Sequence, residues 1–190
     1  MPSGIEREIK LRYRNRHEAE AAIESIQKSP HRDRRLQDDR LLDLPEGNLR
    51  QQRCTLRVRV ERFFNGHTTA SVTFKGPPQQ DIMKVREEIE TTLADGDTML
   101  RIFQNLGWRV WFRYQKYREE FITRDNVIVA LDETPIGTFI ELEGTKDAVA
   151  QLAQSLGKTS ADYISASYRK LYENDCVESG RSVSHMVFKQ

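Results

Sequence analysis

What this chain lacks narrows its function before any motif is considered. It has only two cysteines, Cys54 and Cys176, far apart and without metal-ligand spacing. No secretory signal is read in the sequence, so both thiols are expected to stay reduced in a cytoplasmic protein. No apolar run approaches the roughly 20 residues that span a bilayer, so a soluble chain with no membrane partner is expected. Neither charge is in excess, since 30 Lys and Arg face 29 Asp and Glu. A nucleic-acid binder carries a basic surplus, so no nucleic-acid partner is expected. The histidines His17, His31, His67 and His185 fall in no cluster and read as surface or packing residues.

Apolar residues are also scarce, at 37%, against 31% charged. Disorder is one reading of such a composition. It fails because the apolar residues are periodic and 8% of the chain is aromatic. A folded protein that uses many charges is the better reading. Balanced charge is what a site holding a polyanion together with its metal counter-ions needs.

The pattern predicts one α+β domain over residues 1–190, rich in antiparallel strands, with 174–190 a tail able to add a short strand. Residues 5–13 alternate as a strand, and His17 to Lys28 read as an amphipathic helix with Pro30 beyond its end. Residues 35–43 form a second strand before the turn signal LPEGN. Leu56 to Phe64 and Thr69 to Lys75 make a hairpin across Asn65-Gly66. Lys84 to Leu93 is the next strand, and Asp97 caps a helix running to Leu106. Residues 108–123 are a long aromatic-rich strand, whose Trp108, Trp111, Phe112 and Tyr114 are expected on the exterior against a helix. Val127 to Asp132 and Phe139 to Glu143 complete the strands. Helices follow at 146–156 and near 161–173.

The charges on these strands are ordered. Glu6, Glu8 and Lys10 stand two residues apart, so in a strand they share one face, opposite Ile5, Ile9 and Leu11. The same spacing returns at Arg57/Arg59, Arg86/Glu88/Glu90, Lys116/Arg118 and Glu141/Glu143. Any one of these faces is adequately explained as solvated sheet. The set is not, because like charges at i, i+2 repel unless something lies between them. A divalent cation relieves the acids and a phosphate chain relieves the bases. Closing the sheet into a barrel would put the charged faces in a lumen and the apolar faces under helices.

In this order the blocks resemble the CYTH superfamily, the triphosphate tunnel metalloenzymes. Glu6-x-Glu8-x-Lys10, Arg57-x-Arg59, Lys75 in TFKGP, Arg86-x-Glu88-x-Glu90 and Lys116-x-Arg118 match its ordered motifs. Asp132 followed by Gly137-x-Phe139-x-Glu141-x-Glu143, and then Ser167-Tyr168 with Leu171, continue the match to residue 172. The wording LRVRV, TFKGP and LGW is similar to the class IV adenylyl cyclase branch.

The resemblance implies a closed antiparallel barrel of about eight strands with helices outside. It implies that Lys10, Arg57, Arg59, Lys75, Arg86, Lys116 and Arg118 bind a triphosphate. Arginine suits this because its planar fork makes paired bonds to phosphate oxygens. It implies that Glu6, Glu8, Glu88, Glu90, Asp132, Glu141 and Glu143 hold Mg²⁺ or Mn²⁺, hard cations suited to carboxylate oxygens. Glu6, Glu8, Lys10, Glu141 and Glu143 are the expected catalytic set. The expected reaction is hydrolysis of an inorganic or organic triphosphate; cyclisation of ATP to cyclic AMP is the alternative, and a non-catalytic polyphosphate or nucleotide sensor a third. A monomer or homodimer is expected. Arg12 and Glu120 share the inward parity of Lys10 and Arg118, and Lys170 or Lys189 is a candidate to close the tunnel. Cys54 reads as an apolar-compatible strand residue.

Overall fold

The computed structural model describes residues 4–189. Its strands are β1 Gly4–Tyr13, β2 Lys28–Asp43, β3 Thr55–Phe63, β4 Thr68–Lys75, β5 Lys84–Leu93, β6 Arg109–Thr123, β7 Ile128–Thr134 and β8 Gly137–Glu143. They close into a barrel in the order β1-β5-β4-β3-β2-β6-β7-β8. Every neighbouring pair is antiparallel. This is the closed antiparallel barrel of eight strands that the family resemblance implies, with the alternating charges on its inner face. The helices are α1 Arg16–Glu24, α2 Asn48–Gln51, α3 Gly96–Asn105, α4 Lys146–Ser155 and α5 Tyr168–Glu178. None of the described helices is long and apolar enough to cross a membrane.

The tight strand connections use residues that tolerate left-handed backbone. Gly66 has φ +85° between β3 and β4, and Gly137 has φ +126° where β7 turns into β8. Closure itself depends on β1, the strand that joins the two ends of the sheet. It pairs with β5 over residues 4–8 and with β8 over 8–13.

The apolar faces point outward and are covered. Ile9 and Leu11 of β1, Val129 and Leu131 of β7, and Ile140 and Leu142 of β8 are buried beneath Ala19 and Ile23 of α1 and Val149 and Ala153 of α4. A second cluster places Leu100 of α3 on Leu42 and Val58. Each fully buried aliphatic chain is worth roughly 1.5–3 kcal/mol, so these outer layers contribute much of the barrel's stability. A third cluster lies inside. Leu41, Phe112 and Phe139 point into one end of the lumen and meet Tyr168, Tyr172 and Cys176 of α5 and Met186 of the tail.

Several expectations are corrected. Helix α1 stops at Glu24 rather than Lys28, and residues 28–34 belong to the 16-residue β2. Pro30 lies within that strand, where the register shifts between Pro30 and Arg32, as a residue without an N–H requires. Asp95, not Asp97, caps α3; its carboxylate accepts from the backbone N–H groups of Asp97 and Thr98. The helix expected near 161–173 is a short 3₁₀ turn at Ser160–Asp162 and then α5. Phe112 and Tyr114 face inward, because α5 brings aromatic partners into the barrel. The tail makes one parallel bridge, Met186 to Tyr114, on the part of β6 that β7 does not reach. Residue 190 lies outside the described residues. Both cysteines are free.

Gly96 at the start of α3 lets the helix lie close on the sheet. A Cβ there would come within 2.8 Å of Val60 Cγ2 and 3.0 Å of the Ala70 Cβ. Gly96→Ala is therefore expected to destabilise the fold by about 1–3 kcal/mol, read from the midpoint of urea unfolding, despite alanine's better helix propensity.

Candidate active site

Residues directly opposite on paired strands share a face, so the lumen can be read round the barrel from the registers. Glu8 stands opposite Glu143 and Lys84, and Lys10 opposite Glu141. Arg86 faces Glu6, Lys75 faces Glu88, and Arg57 faces Thr73. Arg59 faces Asp39, Lys116 faces Gln37, and Arg118 faces Asp132. These side chains surround a cavity of about 810 Å³. All seven basic residues expected to bind triphosphate line it, as do Glu6, Glu8, Glu88, Glu90, Glu141 and Glu143.

Asp132 is placed differently from the expectation that it holds a metal. It is fully buried and does not line the cavity. Its carboxylate accepts from Arg118 twice at 2.6 Å, from Lys116 at 2.9 Å and from the Tyr168 hydroxyl at 2.5 Å. With four hydrogen bonds accepted, one on Oδ1 and three on Oδ2, it acts as an anchor that sets the angle of two bases. Asp39, which the sequence reading passed over, does the same for Arg59 through bonds of 2.6 and 2.8 Å. Beyond them, Glu61 accepts from Arg35 at 2.6 Å and Gln37 at 2.7 Å, and Arg35 reaches Glu120 at 2.9 Å. This buried network fills one side of the lumen. Glu120 lines the cavity, whereas Arg12 is exposed over Phe139. Lys170 and Cys54 lie at the cavity mouth, and exposed Lys189 does not line the cavity.

The acids form a bank on β1, β8 and β5. Lys10 bridges Glu8 at 2.7 Å and Glu141 at 3.0 Å, and Lys75 bridges Glu6 at 2.5 Å and Glu88 at 3.1 Å. Lys84 also donates to Glu8. Burial and the neighbouring Glu141 push Glu8 up, but the Lys10, Lys84 and Lys75 ammonium groups outweigh them and hold it well below the usual carboxylate range. Glu143 has no ion-pair partner among the described residues. Burial, together with the carboxylates of Glu6, Glu8 and Glu141, pushes it up to about 8. Glu6 is raised too, by burial and then by Glu8, and its Oε2 has no hydrogen-bond partner.

The bases present the complementary deficit. Arg86 is buried, makes no ion pair among the described residues, and has an unpartnered Nε. Arg57 Nε is likewise unpartnered, although the same guanidinium bonds Thr73 at 3.0 Å. Burial, then Arg118 beside it, brings Lys116 down to about 8. A cation among the acids and an anion among these bases would answer both deficits at once.

The residues fit a hard divalent cation. The donors are all carboxylate oxygens, Glu6 Oε2 is orphaned, and burial together with the Glu6, Glu8 and Glu141 carboxylates raises Glu143 further than Lys75 lowers it. Among the described residues no three acids are gathered tightly enough to hold an ion as they stand. Their oxygens are instead turned onto Lys10, Lys75 and Lys84.

Comparison with known proteins agrees with this architecture. A Methanocaldococcus jannaschii protein, named as a candidate adenylate cyclase, is 30% identical over 144 residues, covering 73% of this chain and 76% of that protein. The structure of a candidate adenylate cyclase from Vibrio parahaemolyticus superposes with a TM-score of 0.75 at 22% identity, covering 89% of this chain and 98% of the other. A candidate adenylyl cyclase from Hippeastrum, described as having a dominant triphosphatase activity, superposes with a TM-score of 0.64 at 18% identity, over 94% and 97% of the two chains. The CYTH domain family matches residues 4–169. With that match spanning all eight strands and the charged lumen they enclose, the chain belongs to the CYTH domain family.

Proposed function

We propose that this protein is a divalent-metal-dependent hydrolase of inorganic or organic triphosphates. The observation that carries the reading is the division of one cavity into an under-neutralised acid bank at Glu6 and Glu143 and an under-neutralised base at Arg86. Neither deficit is useful to the fold, since unpaired buried charge costs stability. Together they suit a polyphosphate that arrives with its metal.

In this reading Arg57, Arg59, Lys75, Arg86, Lys116 and Arg118 grip the phosphate oxygens, and the anchors Asp39 and Asp132 fix the angles of Arg59 and Arg118. Glu6, Glu8, Glu141 and Glu143 hold Mg²⁺ or Mn²⁺, with Glu88 and Glu90 beside them. Bound there, the ion supplies charge neutralisation at phosphate oxygens and acidifies a coordinated water. The water oxygen bonds to the terminal phosphorus, the bridging P–O bond breaks, and a diphosphate leaves. The proton leaves the water as the O–P bond forms, and Glu88 or Glu90, which line the cavity beside the ion-holding acids, takes it. The bases offset charge spread over the equatorial oxygens in the transition state.

Cyclisation is the second reading, favoured by the names of the M. jannaschii and V. parahaemolyticus relatives. There the ribose 3′-oxygen of ATP attacks the α-phosphorus and pyrophosphate leaves. The Hippeastrum protein, named as a cyclase yet described by its triphosphatase activity, supports placing hydrolysis first. ³¹P NMR with Mg²⁺ or Mn²⁺ separates them. Orthophosphate released from tripolyphosphate or ATP is expected, and pyrophosphate with cyclic AMP from ATP would reverse the order.

Arg86→Ala removes a cation that neutralises no carboxylate, so the fold should keep its stability. The expected loss in kcat/KM is on the order of 10- to 100-fold, read from initial rates of tripolyphosphate hydrolysis. Unchanged kinetics would remove Arg86 from the site.

Glu143 gives a pH test. Its carboxyl is pushed up to about 8 from an ordinary 4.5, so the folded chain holds a proton that the unfolded chain releases. The stability associated with that proton is complete below about pH 4.5 and is lost as pH rises through about 8. Without divalent ions, the melting temperature of wild type should therefore fall relative to that of Glu143→Gln across this window. Added Mg²⁺ should raise the wild-type melting temperature more at about pH 8.5 than at about pH 6, because ligation needs the ionised carboxylate.

A further inference from the structure

We propose that Lys84 is an additional polyphosphate ligand, held on Glu8 until a divalent cation takes that carboxylate. The inference rests on the reading of the cavity as a metal-dependent triphosphate site. Lys84 opens β5 two residues before Arg86, so it shares the inward face of that strand, and it stands opposite Glu8. It lines the cavity, with 12% of its side chain exposed.

Its ammonium donates to Glu8 Oε1, the oxygen that also accepts from Lys10 at 2.7 Å. Two ammonium groups thus share one acceptor atom. Their alternatives differ. Lys10 has a second carboxylate, Glu141, at 3.0 Å. Among the described residues Lys84 has no ion-pair partner except Glu8. A cation that draws Glu8 into its coordination therefore leaves Lys10 with Glu141 and leaves Lys84 without an ion-pair partner. A buried ammonium without a counter-ion is costly, and Glu6, the other carboxylate acting on Lys84, is itself taken by the cation in this reading, so an arriving phosphate is the anion left to replace Glu8. Lysine suits such an exchange, because three donors on a flexible four-carbon stem can turn from one acceptor to another.

Cation and polyphosphate are then coupled through Lys84. The cation frees the ammonium that the phosphate uses, and by linkage the phosphate favours the cation. Lys84 also competes with the cation for Glu8, so the free protein binds metal more weakly than its carboxylates alone would.

The test uses the whole chain as wild type, Lys84→Met, Lys84→Gln and Lys84→Arg. Binding of Mn²⁺ alone is followed by electron paramagnetic resonance, and binding of tripolyphosphate with saturating Mn²⁺ by calorimetry. Lys84→Met and Lys84→Gln are expected to bind Mn²⁺ alone several-fold more tightly, because the competing ammonium is gone. The same variants should bind tripolyphosphate about tenfold more weakly when Mn²⁺ is present, with Lys84→Arg restoring most of the loss. A purely structural lysine would not move the two affinities in opposite directions. Wild-type tripolyphosphate affinity in the Met and Gln variants, or weaker binding of Mn²⁺ alone, overturns the role of Lys84. If wild type with Mn²⁺ binds no tripolyphosphate, the reading of the cavity itself falls.

Discussion

Everything in this molecule follows from enclosing charge. A closed barrel shuts its inner face away from bulk water, and an ion moved into such a space loses several kcal/mol of hydration unless a partner replaces it. The lumen answers with pairs: Arg59 on Asp39, Arg118 and Lys116 on Asp132, Lys75 on Glu6 and Glu88. These pairs hold geometry more than they hold the fold. Much of the stability comes from the outer apolar layer under α1, α3 and α4. The separation leaves the inner face free to carry residues selected for a ligand.

A site paired with itself would bind its ligands by exchange. Lys10, Lys75 and Lys84 occupy the carboxylates that would hold a metal, and those carboxylates occupy the lysines that would hold phosphate. An anion or a cation arriving alone must break ion pairs and leave a residue stranded. Arriving together, they separate the two sets cleanly. Two features fall outside this balance, the Glu143 carboxyl with no ion-pair partner among the described residues and the unpaired guanidinium of Arg86, and they are where incoming charges would be most needed.

The barrel was largely legible because side chains alternate strictly along a strand. Glu-x-Glu-x-Lys alone fits a solvated face as well as an inward one; the ordered set of such blocks is what pointed to a charged lumen. Strand β2 was harder: KSPHRDRRLQDDRLLD has no clean alternation, and the adjacent acids Asp38 and Asp39 point to opposite sides of the wall. Asp38 bonds Arg113 on the outside and Asp39 bonds Arg59 within. Nothing in the spacing separates them; the register with β3 does. Phe112 and Tyr114 read as exterior for a related reason. Their inward packing depends on Tyr168 and Tyr172, more than fifty residues away in sequence. Asp132 was expected to hold a metal; its three donors come from two other elements, so its bonds to Lys116, Arg118 and Tyr168 could be seen only in the assembled barrel. Lys84 had a usable signal, the parity of Arg86 and Glu88, obscured by the stronger motif that begins two residues later.

The pairing of Glu8 with Glu143 bears on how the chain folds. These two carboxylates sit on β1 and β8, the strands whose union turns an open sheet into a barrel. That union joins segments separated by most of the sequence, a long-range contact of the kind that slows folding. It also forces like charges face to face at the seam. A proton on Glu143, or a cation between the two, eases the step that a bare pair of carboxylates resists. A divalent cation held in the cavity as proposed would thereby favour barrel closure as well as the chemistry inside.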